Sequence, residues 1–312
     1  MKQINILLLG AGGDIGQSVF KVLNEIDWVD TISGTDINQK TASKLLFDHF
    51  FIVPRCNDET YLDSISKIIK EENISIIIPI SEPEIRYFHQ KGIIEIAKVP
   101  LVLANRFSLT VALEKLATID FLKKNNLPHP KAQQLDQPIT MDYPLIAKSN
   151  KGSGSKNIVW IEDELDLTFV KRKHPGHILQ EFLPADEGEY TCGLFRSSQG
   201  EIRQIVFKRD LMSGFSVYGE VVENEQINVL LVELATKLEL RGSINVQLRL
   251  VEGIPKIFEI NPRFSSTVRF RDLLGFKDIL WVLEDHLNEQ ISNYNKPPLG
   301  AKFFKGFEEY IL

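Results

Sequence analysis

The residues best suited to chemistry lie near the C-terminal end of the chain. Asn245-Val-Gln-Leu-Arg249 leads through Val251-Glu-Gly-Ile-Pro255 into Phe258-Glu-Ile-Asn-Pro-Arg263. Two apolar runs around a Gly-containing turn predict a hairpin. Centring it on Gly253 sets Gln247 opposite Glu259 and Asn245 opposite Asn261. Strand side chains alternate between faces, so Glu259 and Asn261 share one face while Phe258 and Ile260 point to the other. Gln247, Glu259 and Asn261 then converge as oxygen donors. Mg²⁺ favours such hard ligands and needs only one or two carboxylates when substrate phosphates complete its shell. Arg263 follows directly as a planar fork for a phosphate or carboxylate. The competing reading is a polar sheet face closed by an arginine salt bridge.

Four other segments carry signals. Tyr143-Pro-Leu-Ile-Ala-Lys148 ends an apolar strand, and Ser149-Asn-Lys-Gly-Ser-Gly-Ser155 follows. A Gly/Ser-rich tip flanked by Lys148, Lys151 and Lys156 offers amides, hydroxyls and positive charge to phosphates. Leu179-Gln-Glu-Phe-Leu183 is a strand end whose extended backbone suits the edge of an adenine, and Glu189 beyond it suits ribose hydroxyls. Near the N-terminus, Gly10-Ala-Gly-Gly-Asp-Ile-Gly16 joins a strand to a helix, with Asp36 at the distance of a ribose-binding acid. That arrangement suggests NAD(P), although the third glycine comes one residue late for the dinucleotide fingerprint. A tight strand-to-helix turn without cofactor explains the same residues. Ser81-Glu-Pro-Glu84 ends another strand, either at a ligand crevice or as a capping box with Ser81 and Glu84 as its two members.

The elements that must position these residues fall into two classes. Up to residue 104, strand runs (Ile4 to Leu9, Thr31 to Thr35, Ile74 to Ile80, Val99 to Leu103) alternate with helical patterns, such as Gln17 to Ile26. This predicts a Rossmann-like α/β unit over 1–104. A helix is expected from Ser108 to Asn125. Hairpin-like strands then dominate, with helices at Ile227 to Leu238 and Asp278 to Asn288, so residues 105–312 read as α+β. A small lobe with the glycine-rich loop is expected at about 105–180 and a larger lobe with the metal site at 181–312.

Bulk properties narrow the function classes. The chain has 312 residues, 43% of them hydrophobic, and a formal net charge of −6. An acidic globular chain without a basic stripe argues against nucleic-acid binding. No run approaches the ~20 apolar residues of a membrane helix. Cys56 and Cys192 are too few for a disulfide framework and read as buried fillers. A cytoplasmic setting is expected.

In this order, the segments resemble the ATP-grasp superfamily, most closely the ATP-binding units of carbamoyl-phosphate synthetase large subunits. The likeness runs over nearly the whole chain, from a pre-ATP-grasp Rossmann-like domain to the last hairpin. It implies an ADP-forming carboxylate-amine ligase using ATP and Mg²⁺, with Mn²⁺ able to substitute, on small-molecule carboxylate and amine substrates, as a homodimer. By that resemblance Lys115 and Lys148 contact ATP phosphates, and Lys151, Gly152, Ser153, Gly154 and Ser155 form the loop above them. Glu181, Phe182 and Leu183 form the adenine hinge and Glu189 the ribose acid. Gln247, Glu259 and Asn261 bind Mg²⁺, and Arg263 steadies the transferred phosphoryl group. The acceptor carboxylate is expected between the N-terminal domain and the last hairpin, near Gly12, Gly13, Glu84, Lys208, Arg209, Arg263 and Arg269. Gln247 is neutral where many relatives carry an acid, and Ser265-Ser266 replace the usual small residues. An NAD(P)-dependent oxidoreductase built on the Gly10–Gly16 loop and an ATP-binding protein without turnover are the alternatives.

Overall fold

The computed structural model describes residues 2–152, 158–212, 214–306 and 308–311. Its N-terminal unit is a parallel sheet in the order His49–Ile52, Val29–Asp36, Ile4–Leu9, Ile74–Pro79, with Leu101 bridging to Ile77 at the edge. Leu7, Leu8 and Leu9 are fully buried, as a continuous apolar run between two helical layers requires. The helix Asp14–Leu23 begins directly after the glycine loop, three residues earlier than its apolar pattern suggests. The helix Glu82–Lys91 has Ser81 as N-cap, Pro83 in its first turn and Gly92 at φ 67° as its C-cap.

The helix expected from Ser108 to Asn125 is two helices, Arg106–Ala112 and Lys115–Lys124. Glu114 between them is extended, at φ −132° and ψ 129°. Tertiary partners cap the new start: Asn150 accepts from the amides of Lys115 through its carbonyl (3.0 Å) and of Leu116 through its side chain (2.9 Å). Both helices pack in the core of the large sheet, with Leu109, Val111 and Leu122 beside Leu194, Ile244 and Ile260. The smaller lobe is accordingly a four-stranded sheet, Ala132–Gln134, His177–Glu181, Leu145–Ser149, Val159–Ile161, covered by the helix Glu164–Lys173.

The large sheet runs Ile254–Asn261, Gly242–Val251, Glu189–Arg196, Ile202–Met212, Phe215–Val221, Lys302–Phe304, all antiparallel. The helix Glu225–Lys237 covers one face. On the other face Val268–Leu273 and Asp278–His286 join the N-terminal sheet in one core, where Phe207, Trp281 and Ile6 are buried together. The N-terminal unit is thus seated on the back of the large sheet, and the strand ends of both meet beside the last hairpin.

Candidate active site

The last hairpin turns at Glu252-Gly253, both with positive φ (53° and 74°), the twist that a two-residue turn between antiparallel strands favours. A turn centred there would pair Gln247 with Phe258. Phe258 is instead an extra, bulged residue, so Gln247 opposes Glu259 and Asn245 opposes Asn261. The bulge also breaks the alternation of faces. Phe258, expected to point away from Glu259, lines the same cavity as Glu259.

That cavity, about 310 Å³, lies between the small and large sheets. Lys115, Lys148, Lys151, Gly152, Leu183, Glu189, Gln247 and Glu259 all border it. Lys148 is buried and donates to the carbonyl of Phe258 at 3.3 Å, with its ammonium 5.6 Å from the Phe258 ring. Burial pushes its pKa down to about 8, against the attraction of Glu259. Lys115 donates to the carbonyl of Gly152 at 2.6 Å and stands 3.9 Å from Glu259. The Glu259 carboxylate thus has a cation nearby without a hydrogen bond to it. Asn261 borders a narrow cleft shared with Glu82, Lys115, Gly152 and Glu259, immediately beside the main cavity. Glu259 and Asn261 can therefore supply oxygens to a Mg²⁺ completed by phosphates, a donor set that suits this ion. Among the described residues no three His, Cys, Asp or Glu side chains could form a metal cage by themselves.

The remaining candidates divide. Glu181 pairs with Lys256 at 2.8 Å and the Phe182 ring packs on Trp160, so both side chains leave the cavity wall. Their amides bond the carbonyls of Lys131 and Pro144, which leaves the Leu183 amide as the hinge donor without an acceptor among the described residues. Both oxygens of Glu189 meet arginines: Arg209 at 2.8 Å, and Arg249 at 2.9 and 2.7 Å. Arg263 lies outside the cavity, its Nη1 donating to the Phe264 carbonyl at 2.9 Å. Burial holds the Arg263 pKa below its usual value, while Glu82, Glu259 and Asp14 pull it upward. Ser153, Gly154 and Ser155 lie outside the described residues.

Several substrate candidates are turned away. Glu84 is buried, accepting from the Tyr61 hydroxyl at 2.6 Å and bonding Ser81, so burial raises its pKa. Glu82, two residues earlier, instead faces the cleft and accepts from the Gly152 amide at 2.9 Å. Arg209 is buried beneath the cavity wall. Arg269 forms an ion pair with Glu25 in the turn after the first helix, and Lys208 is exposed. The Gly12 amide donates to Asp36 at 2.8 Å, while the Gly12 carbonyl accepts from Thr41 and Ser43. Gly13 has open space around it. Gly16 is needed for packing, since a Cβ there would lie 2.1 Å from the Ala11 carbonyl. Asp36 therefore closes the glycine loop rather than waiting for a ribose, which removes the basis of the oxidoreductase reading.

Reasoning from sequence missed Arg249, Phe258, Ile146 and Gln180, all in the cavity wall. Arg249 was within reach: strand alternation puts it on the face of Gln247. Phe258 was hidden by the bulge.

Residues 112–267 match the family model of an ATP-grasp domain, and residues 6–97 match that of a PylC-like N-terminal domain. No curated protein matches the sequence significantly. Similar solved structures include an N5-carboxyaminoimidazole ribonucleotide synthetase in complex with ADP (17% identity, TM-score 0.75, 95% of this chain and 80% of that one). A second is the biotin carboxylase domain of Hydrogenobacter thermophilus 2-oxoglutarate carboxylase, with MgADP and bicarbonate (14%, 0.74, 97% and 74%). A third is an L-amino acid ligase from Bacillus licheniformis (16%, 0.67, 92% and 75%). At such identities the likeness speaks for the fold; the kinship with carbamoyl-phosphate synthetase is a looser one.

Proposed function

The chain belongs to the ATP-grasp domain family, and on that premise we propose that it is an ADP-forming ligase that activates a small carboxylate for attack by an amine. A carboxylate does not acylate an amine in water because oxide is a poor leaving group. Phosphorylation by ATP gives an acyl phosphate, whose leaving group is phosphate. Catalysis of such a step is mostly positioning and neutralisation of charge.

The observation that carries this reading is the convergence of Lys115, Lys148 and Glu259 on one cavity between two sheets. Adenine enters between Ile146 and Phe258, with its edge on the Leu183 amide and its ribose toward Glu189. Lys148, already charged below about pH 8, and Lys115, at the positive end of its helix, hold the phosphates. Glu259 and Asn261 would hold Mg²⁺, which supplies neutralisation of the phosphate oxygens. By the family resemblance Arg263, which borders an adjoining cleft with Pro262, would steady the acyl phosphate. The acceptor sits toward the N-terminal unit, where Glu82 rather than Glu84 is exposed to the cleft. The working form is a homodimer, as the family resemblance implies. Among the described residues no helix is long and apolar enough to cross a membrane, and an ATP-consuming activity suits the cytoplasm.

The test is ADP release with Mg²⁺ across a panel of amino acids and small acids, each with and without an amine. ADP that appears only with a particular carboxylate supports the reading. Protection of the fold by ATP, with no ADP release anywhere in the panel, would instead favour a nucleotide-binding protein without turnover.

A further inference from the structure

Gln247 occupies a position expected of a metal ligand, yet its surroundings are those of an anion site. A primary amide has one oxygen and two N–H donors. The Gln247 Oε1 accepts from Arg209 Nη2 at 2.9 Å. That guanidinium is buried and fixed from several sides: Nη2 also donates to Glu189 at 2.8 Å, and Nη1 donates to Ser216 at 3.1 Å. A divalent cation on the free lone pair of Oε1 would lie within a few ångströms of this buried positive charge. The Arg249 guanidinium stands on the same strand face, two residues along, bonded to the other oxygen of Glu189 and to the Leu183 carbonyl. This side of the cavity thus holds two guanidinium groups against the single carboxylate of Glu189. The opposite side differs: Glu259 lies among the Lys115 and Lys148 ammonium groups, the nearer of them Lys115 at 3.9 Å, with no hydrogen bond to either, and Asn261 stands beside it at the edge of the neighbouring cleft.

Building on the ligase reading, we infer that Gln247 meets the nucleotide as an N–H donor to a phosphate oxygen, and that the site takes a single divalent cation, on Glu259 and Asn261. Arg209 is then a positioning residue. It orients the Gln247 amide and the Glu189 carboxylate together without touching the nucleotide. The charge that a second metal would bring is supplied by the fixed guanidinium groups.

The experiment combines two measurements on the full chain: calorimetric titration of ADP in EDTA, and counting of bound Mn²⁺ by electron paramagnetic resonance with ADP present. The unmodified chain should bind one Mn²⁺. Gln247→Leu, close in volume and half-exposed to the cavity, should weaken metal-free ADP binding about tenfold, as loss of a hydrogen bond to a charged group does, with one Mn²⁺ still bound. Gln247→Glu, which lacks N–H donors and repels phosphate, should weaken metal-free ADP binding as well, so the conclusion does not hang on one variant's folding. Two Mn²⁺ on the unmodified chain would overturn the inference. So would variants that lose Mn²⁺ while metal-free ADP affinity stays put. Absence of ADP binding by the unmodified chain would remove the ligase reading and this inference with it.

Discussion

Two regions of this molecule advertise phosphate chemistry, and they use their polar groups in opposite ways. The N-terminal glycine loop closes on itself: Asp36 takes the Gly12 amide, Thr41 and Ser43 take its carbonyl, and Gly16 lets the helix approach the strand. The C-terminal hairpin stays open. Glu259 borders a cavity with no hydrogen-bonded partner for its charge among the described residues, and Lys148 is buried there at a penalty visible in its lowered pKa. Satisfied polar groups stabilise a fold, whereas charges held short of full compensation mark a place where a ligand completes them. Glycine spacing cannot distinguish these cases; the partners of each donor can.

Four measurements test this contrast between a closed loop and an open hairpin. The largest effect is expected from Glu259→Ala, which should lower kcat/KM for ATP about 100-fold or more, the scale seen when an electrostatic stabiliser is removed. Circular dichroism and thermal melting should show the fold retained; undiminished turnover would mean that the open hairpin is not the metal site. Next, ADP affinity should decline as pH rises past about 8. Nucleotide binding favours the Lys148 ammonium, which is present below that pH and must be regained by proton uptake above it. Calorimetry from pH 6 to 10 reads this directly, and Lys148→Met should flatten the profile. Third, Asp36→Ala should cost about 2 kcal/mol of stability through loss of charged hydrogen bonds to the Gly12 and Asn38 amides. It should leave ADP affinity untouched in the folded protein. A collapse of ADP affinity with stability intact would return the glycine loop to the functional side. The smallest effect is expected of Glu84→Gln, which should leave kcat/KM for ATP unchanged because Glu84 is buried against Tyr61 and Ser81; a marked drop would place it in the machinery.

The N-terminal α/β sheet was legible because a parallel strand buried on both faces must be apolar throughout. The hairpin pairing Gln247–Glu259 was legible too, though for an incomplete reason: an assumed one-residue offset in the turn stood in for a bulge at Phe258. The break between Ala112 and Lys115 was not legible. Helical spacing continues across it, and the cap that starts the second helix comes from Asn150, some 35 residues away. Glu82 and Glu84 are equivalent in sequence and opposite in setting, one facing a cleft and the other a tyrosine.

The sequence alone carried which segments alternate as strands and helices, and that a glutamate and two amide side chains would gather on the last two strands. Those properties depend on periodicity within an element and on pairing across a short turn. Which polar groups remain available depends on long-range contacts of the folded chain. Arg209 reaches Gln247 across 38 positions and Asp36 reaches Gly12 across 24. Whether a donor or acceptor is already satisfied depends on such distant partners, which no local pattern records.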